Sequence, residues 1–239
     1  MKKILFVAIA FLTVFAATAQ NKKKDPGAVL SRAGDHIMLQ VSSDHWMGAP
    51  DSIQSHIKSL SRGGNIYVMM DKPFKGTPQF SAAFGIGIST SSMYFKTMGI
   101  ELRSLTTTLP FVNLDTTSHF KKYKLSTAFL EIPVELRYTF NTAMENKSIK
   151  LALGIKAGVL LNAHTKGKSP VDKNGNSTNS YIEKENSKRF LNTSRISATA
   201  RIGYGHFSLF GSYQINSIFK TGTAADIKLL QVGLTLSGL

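Results

Sequence analysis

From residue 37 onward the chain is patterned in twos, with almost no helical repeat. The stretch 126–140 shows it best. Ala128, Leu130, Ile132, Val134, Leu136, Tyr138 and Phe140 fall on one side, and Glu131, Glu135 and Arg137 on the other. Successive side chains of a strand point to opposite faces, so this predicts a strand that is greasy outside or in, but never both. Residues 149–161 set Ile149, Leu151, Leu153, Ile155 and Val159 against Lys150, Gly154, Lys156 and Gly158. Residues 195–204 set Ile196, Ala198, Ala200 and Ile202 against Arg195, Thr199 and Arg201. Segments 207–216 and 230–237 alternate in the same way, as do 37–42 and 80–89. Residues 65–71 are apolar on both sides and predict a strand of uncertain register. The total is eight, an even number, as closed bacterial barrels require.

The connections give a second argument. Long ones are expected at 47–64, 91–122 and 162–189. Short ones fall at 72–78, 141–147 and 203–206, with 217–226 closing the last pair. Short periplasmic turns alternating with longer external loops is the habit of membrane barrels. With this parity both ends of the barrel chain lie on the periplasmic side. A soluble lipocalin-like barrel would turn its greasy face inward instead. Two features favour the membrane. The polar face is rich in glycine, at Gly85, Gly87, Gly154, Gly158, Gly203 and Gly233, which suits a narrow lumen. Aromatics near strand ends, at Trp46, Tyr123, Tyr138, Phe140, Phe190, Tyr204 and Phe219, are expected to form membrane girdles. The expected fold is therefore all-β: a closed eight-stranded antiparallel transmembrane β-barrel. Pro133 interrupts the pattern and is expected at a bulge, since proline cannot donate to a ladder.

The leader explains how such a chain leaves the cytoplasm. Lys2 and Lys3 precede an apolar run at 4–17 and the small-residue sequence Ala17-Thr18-Ala19, the form of a cleaved signal. Residues 1–20 are assigned to a signal peptide, 21–35 to a periplasmic N-terminal segment and 36–239 to the barrel. The chain contains no cysteine, so neither disulfides nor a lipidated cysteine anchor it.

With 29 Lys+Arg against 14 Asp+Glu the formal charge is +15, or +13 with Lys2 and Lys3 set aside. For an exported protein that balance points away from nucleic acid; it fits either a positive excess scattered over solvated loops or contact with anionic envelope surfaces such as lipopolysaccharide. The loop 165–189 carries much of it, in Lys166, Lys168, Lys173, Lys184, Lys188 and Arg189, around a turn-like Asn174-Gly175-Asn176 tip. The loop after Trp46 is expected to hold a short amphipathic helix capped by Asp51 or Ser52, with Ile53, Ile57 and Leu60 on one face.

A family resemblance adds to this. Phe129-Leu130-Glu131-Ile132-Pro133-Val134-Glu135-Leu136-Arg137-Tyr138 resembles a signature of the PorT-like outer-membrane β-barrel proteins of Bacteroidetes. The stretch from Arg201-Ile202-Gly203-Tyr204 to Phe219, with Val232-Gly233-Leu234, is similar to that family's closing hairpin and last strand. The resemblance implies outer-membrane residence and a barrel of about eight strands. These motifs mark architecture and not activity.

Candidate chemistry is sparse. The predicted lumen holds Glu131, Glu135, Arg137, Lys150, Lys156, Arg195 and Arg201, expected to pair as an ionic plug because unpaired buried charges are costly. His206-Phe207-Ser208 has the spacing of an esterase pair on one strand face, but lies at a periplasmic turn with no carboxylate near in sequence. The other histidines lack metal-site spacing, and no phosphate loop is present. No cofactor and no enzymatic activity are expected. The expected role is structural or interactive within the envelope, including membership of a secretion or surface complex. The alternatives are a small transport or ligand-binding barrel and a lipid-modifying enzyme.

Overall fold

A computed structural model describes residues 37–144 and 147–237. The assigned signal peptide and the periplasmic segment 21–35 lie outside the described residues. Eleven strands and one short helix follow in order. They are β1 Ile37–Met47, α1 Asp51–Gln54, β2 Arg62–Phe74, β3 Thr77–Phe95, β4 Met98–Ile100 and β5 Phe111–Asn113. After them come β6 His119–Thr139, β7 Ile149–Val171, β8 Ile182–Asn186, β9 Ser194–Tyr204, β10 Phe207–Gln214 and β11 Lys228–Ser237.

Eight of these close a ring, in the order β1-β2-β3-β6-β7-β9-β10-β11 and back to β1, each pair antiparallel. Closure leaves no edge among them. The remaining three decorate one end: β4 and β5 form a separate ribbon, and β8 folds back on the far end of β7. Among the described residues no helix is long and apolar enough to cross a membrane.

Alternation resolves as the sequence pattern requires. Ile66, Val68, Ile86, Ile132, Val134, Ile155, Leu209 and Leu234 are each about half exposed, and they belt the barrel. Their strand neighbours Tyr67, Ser89, Glu131, Glu135, Lys156, Ser208 and Thr235 are buried in its interior. An aliphatic band on this scale is far larger than the apolar patches that soluble monomers expose; it faces acyl chains. Phe80, Phe140, Tyr204 and Phe207 project outward at the short-turn end, with Tyr138 packed between Phe80, to which it is tilted, and Phe140, which it meets edge-on. That is one girdle.

The second expected girdle is absent in that form. Trp46, Phe190 and Phe219 are buried, at 4%, 1% and 0% exposure, inside an apolar cap over the long-loop end. Loops that fold back over the barrel mouth give these rings protein to bury against, and they leave the lipid.

Several other expectations are corrected. Pro133 makes no bulge: bridged pairs pass from Phe84–Val134 directly to Gly87–Glu131 without a change of register. One missing donor is tolerated because the flanking pairs hold the two strands in line. The irregularity falls instead at Ala128/Phe129, on the β7 side. α1 is a single turn capped by Pro50 with no side-chain cap bond. Ile53 is buried by it, but Leu60 is exposed. The long loops are also shorter than expected, because β3, β6 and β7 reach 19, 21 and 23 residues. A crossing needs only about 9–11, so the surplus stands outside the membrane as a wall. The outward face there is polar, and the inward one carries the buried Met93, Phe95, Leu125 and Ala163, so the greasy side changes from lipid to cap and the pattern no longer reads as one continuous strand.

Candidate functional site

The interior is built around small residues on β7. Gly158 is paired with Glu131 of β6 on one side and with Arg195 of β9 on the other. With no side chain between them, the two charged groups meet over it. Arg195 Nε donates to Glu131 Oε1 at 2.8 Å, and Nη2 donates to the same oxygen. The Arg195 guanidinium lies 4.1 Å from the Phe129 ring centroid, and Nη2 also donates to Ser89 Oγ at 2.6 Å. Tyr67 Oη donates to Glu131 Oε2 at 2.6 Å.

Lys156, buried, donates to Gln40 Oε1 at 3.2 Å and lies over the rings of Tyr67 and Phe210, at 5.0 and 5.5 Å. Gln40 is held in turn by Thr235 and Asn65, and Asn65 by Ser89. The result is a connected polar layer across the barrel.

A second layer lies nearer the short-turn end. Glu135 Oε2 accepts from Arg137 Nε at 3.0 Å and from Arg201 Nη2 at 2.9 Å. Arg137 and Arg201 flank Ala152, another small residue of β7. Lys150 does not join either layer. It is half-buried at the mouth beside Arg137 and Arg201, around a space of about 10 Å³, and has no ion-pair partner among the described residues. Its position as the second residue of β7 leaves its ammonium in reach of water, so no partner is needed.

Sequence reasoning missed Tyr67, Gln40, Asn65 and Asp44, all buried in the interior. Asp44 accepts from Ser42 at 2.6 Å, from Ser91 and from Gln231 at 3.1 Å. The available signal was parity: Asn65, Tyr67 and Met69 share one face, and Asn65 marks it as the polar one.

Above the layers sits the cap. Trp46 packs edge-on against Phe95 and Phe219, with centroids 5.5 and 5.6 Å away, and Phe111 packs edge-on against Phe219 at 6.0 Å. Ile53, Met98, Ile100, Leu102, Leu109, Phe190, Leu191 and Ile227 complete the cluster. Where cap meets polar layer, a space lined by Trp46, Met93, Phe129, Arg195 and Gln214 measures about 20 Å³, room for roughly one water. The lumen is closed twice.

Outside the membrane, two exposed carboxylates organise loops. Asp115 accepts from Thr97 Oγ1 and from His56 Nε2, the latter at 3.2 Å, and these bonds hold its carboxyl below the usual range. Asp172 accepts from the backbone N–H groups of Asn174 and Asn176 at 2.9 and 2.8 Å, which lowers its carboxyl too. It thereby fixes the hairpin tip, where Gly175 has φ +84°.

His206 contacts the Ser237 carbonyl through Nδ1 at 3.0 Å, while Ser208 is buried against the backbone of Gly203. Among the described residues no cluster of three metal-ligating side chains occurs.

This combination defines a class: a sealed β-barrel of the outer membrane, with a salt-bridged lumen and a loop-built cap. Residues 19–220 match the family described as Outer membrane protein beta-barrel domain, and the chain belongs to that family. Its place is the cell outer membrane. Among solved structures it is similar to Ail, the attachment invasion locus protein of Yersinia pestis. The crystal structure of that protein gives 12% identity, 84% of this chain and 95% of that chain covered, and a TM-score of 0.35. Its complex with the heparin analogue sucrose octasulfate gives 13% identity, the same coverage and a TM-score of 0.36. No curated protein matches the chain.

Proposed function

We propose that this chain works by contact, as a structural or interaction component of the cell envelope, and not as a channel or an enzyme. The observation that carries the reading is the double closure of the lumen: two layers of ion pairs beneath an apolar cap. An interior filled in this way commits its charged groups to one another, and leaves the external loops and walls as the surface on which other molecules act. Membership of a secretion or surface complex fits such a surface; the PorT-like resemblance bears on the architecture and not on that role. The non-catalytic reading is supported by His206, whose Nδ1 is taken by a main-chain carbonyl, and by Ser208, which is packed inside the wall.

Planar-bilayer recording tests it. The purified chain is expected to give no steady conductance steps, and a stable ohmic step in the wild-type protein would overturn the reading. Purification from native outer membrane in mild detergent is expected to bring down a stoichiometric envelope component.

A further inference from the structure

The external continuation of β6, β7 and β8 is a three-stranded wall whose two faces differ in chemistry. Register places Lys124, Lys166 and Lys184 side by side across the three strands. Lys122 pairs with Lys168 one step further out. On β6 these lysines share parity with Leu130, Ile132 and Val134, so they project from the side that meets lipid lower down. Glu183 and Glu185 alternate with Lys184 and therefore point through the sheet. They line a cleft of about 360 Å³ on the opposite face, with Glu101, Phe120 and Tyr123. The pleat thus puts the glutamates of β8 on one face and the paired lysines of the wall on the other; Arg103 also lines the cleft on the glutamate side. Lys122, Lys166, Lys168 and Lys184 have no ion-pair partner among the described residues.

Like charges directly opposite one another weaken a strand pair, and here the row is three wide. Lys124 is already ordered: its Nζ donates to Ser92 Oγ at 3.2 Å and lies 5.5 Å from the Tyr94 ring centroid. The Ser92–Ser126 pair next to it is hydrogen-bonded at 2.8 Å and forms a neutral polar step between lysines and belt. Along the strand Lys124 stands about 20 Å beyond Leu130 at roughly 3.4 Å per residue. With a barrel tilt of about 40° that is about 15 Å above the belt, the level of phosphates and first sugars and not of acyl chains.

We infer that this lysine row is a binding site for the phosphate groups of an outer-leaflet phosphoglycolipid, lipid A with its phosphorylated inner core, seated against the β6–β7–β8 wall. The inference rests on the contact role proposed above and supplies one partner for it. Continuity with the lipid belt argues for a lipid over a soluble anion, since acyl chains on the belt and phosphates on the lysines belong to one molecule.

The test uses the full chain, refolded in detergent, and measures retained glycolipid by native mass spectrometry. Folding is checked by heat-modifiable gel mobility. A Lys166→Gln/Lys168→Gln/Lys184→Gln variant is expected to bind phosphorylated lipid A about 100-fold more weakly, at the usual strength of one lysine near an anionic surface. A Lys75→Gln/Lys96→Gln/Lys147→Gln variant, with the same charge removed elsewhere, is expected to bind like wild type. Dephosphorylated lipid is expected not to be retained. Equal binding of phosphorylated and dephosphorylated lipid, or unchanged binding by the first variant, overturns the inference. Should that variant fail to fold, a salt titration of wild type decides: retention indifferent to salt overturns it. A steady channel in planar bilayers would sink the contact role while leaving these outcomes readable.

Discussion

Glu131 and Arg195 sit two strands apart and meet across the bare backbone of Gly158. Each is buried, and each has further partners: Tyr67 for the glutamate, Ser89 and the Phe129 ring for the arginine. Taking away one member of such a pair leaves the other charge uncompensated, at a cost of about 3–5 kcal/mol. Glu131→Gln is expected to lower the unfolding free energy of the barrel by that amount, measured by urea titration in lipid vesicles. Glu131→Met combined with Arg195→Met is expected to recover part of the loss. The recovery is incomplete because the Tyr67 hydroxyl loses its acceptor.

Gly87 makes the same point sterically. A Cβ there would stand 2.1 Å from the Ile66 carbonyl oxygen and 2.4 Å from Cδ1 of Tyr67. The carbonyl belongs to the barrel wall and cannot move aside without breaking the β2–β3 ladder. Gly87→Val is expected to abolish formation of the heat-modifiable folded band on refolding. Gly76→Ala, at a turn with open space around the added carbon, is expected to leave that band in place with only a modest loss from its φ of +90°.

These two sites show what alternation conveys and where it stops. Leu130, Ile132 and Val134 against Glu131 and Glu135 fix both the strand and the side that faces lipid, because period two needs no knowledge of the neighbours. The same pattern cannot say which residue of β9 lies opposite Glu131, since that depends on register around the ring. An aromatic at a strand end, such as Trp46, Phe190 or Phe219, fits a membrane girdle and a protein core equally well by sequence. Only the path of the loops, which carries no periodicity, turns them into a cap. Lys166, Lys168 and Lys184 were legible as a basic loop but not as one face of a wall, because the strand that orders them has no greasy side.

The loops should respond to acid before the barrel does. Asp115 ties α1 to the loop before β6 through His56 and Thr97, and its carboxyl titrates below the usual range. A depressed folded value means that its contribution is complete above the unfolded value, near pH 4, and is lost as pH falls through the folded value. Exposure keeps the effect small. Hydrogen exchange at Lys96 and Lys58, whose N–H groups bond to the His56 and Tyr94 carbonyls, is expected to accelerate at acid pH while β7 amides stay protected. In Asp115→Asn the step should vanish.

The two closures of the lumen are built from different forces, so they should fail separately. The cap is an aromatic and aliphatic cluster centred on Trp46 and Phe219, and Trp46 is the only tryptophan of the chain. Its fluorescence therefore reports the cap and the floor where the cap meets the Arg195 layer. Phe219→Ala removes a fully buried ring, at about 3–5 kcal/mol in a rigid core, and is expected to shift Trp46 emission to the red. The ion-pair layers beneath do not touch Phe219, so the variant is expected to remain non-conducting. Glu131→Ala with Arg195→Ala hollows the layer below and enlarges the space that Arg195 shares with Trp46, so a smaller red shift is expected, and it too should stay closed under the intact cap. Only all three substitutions together open a path down to the Glu135 layer. Even then Arg137, Arg201 and Glu135 close the short-turn end, so conductance is expected to appear as brief flickers and not as steady steps. A steady channel from Phe219→Ala alone would show that the polar layers do not seal the barrel.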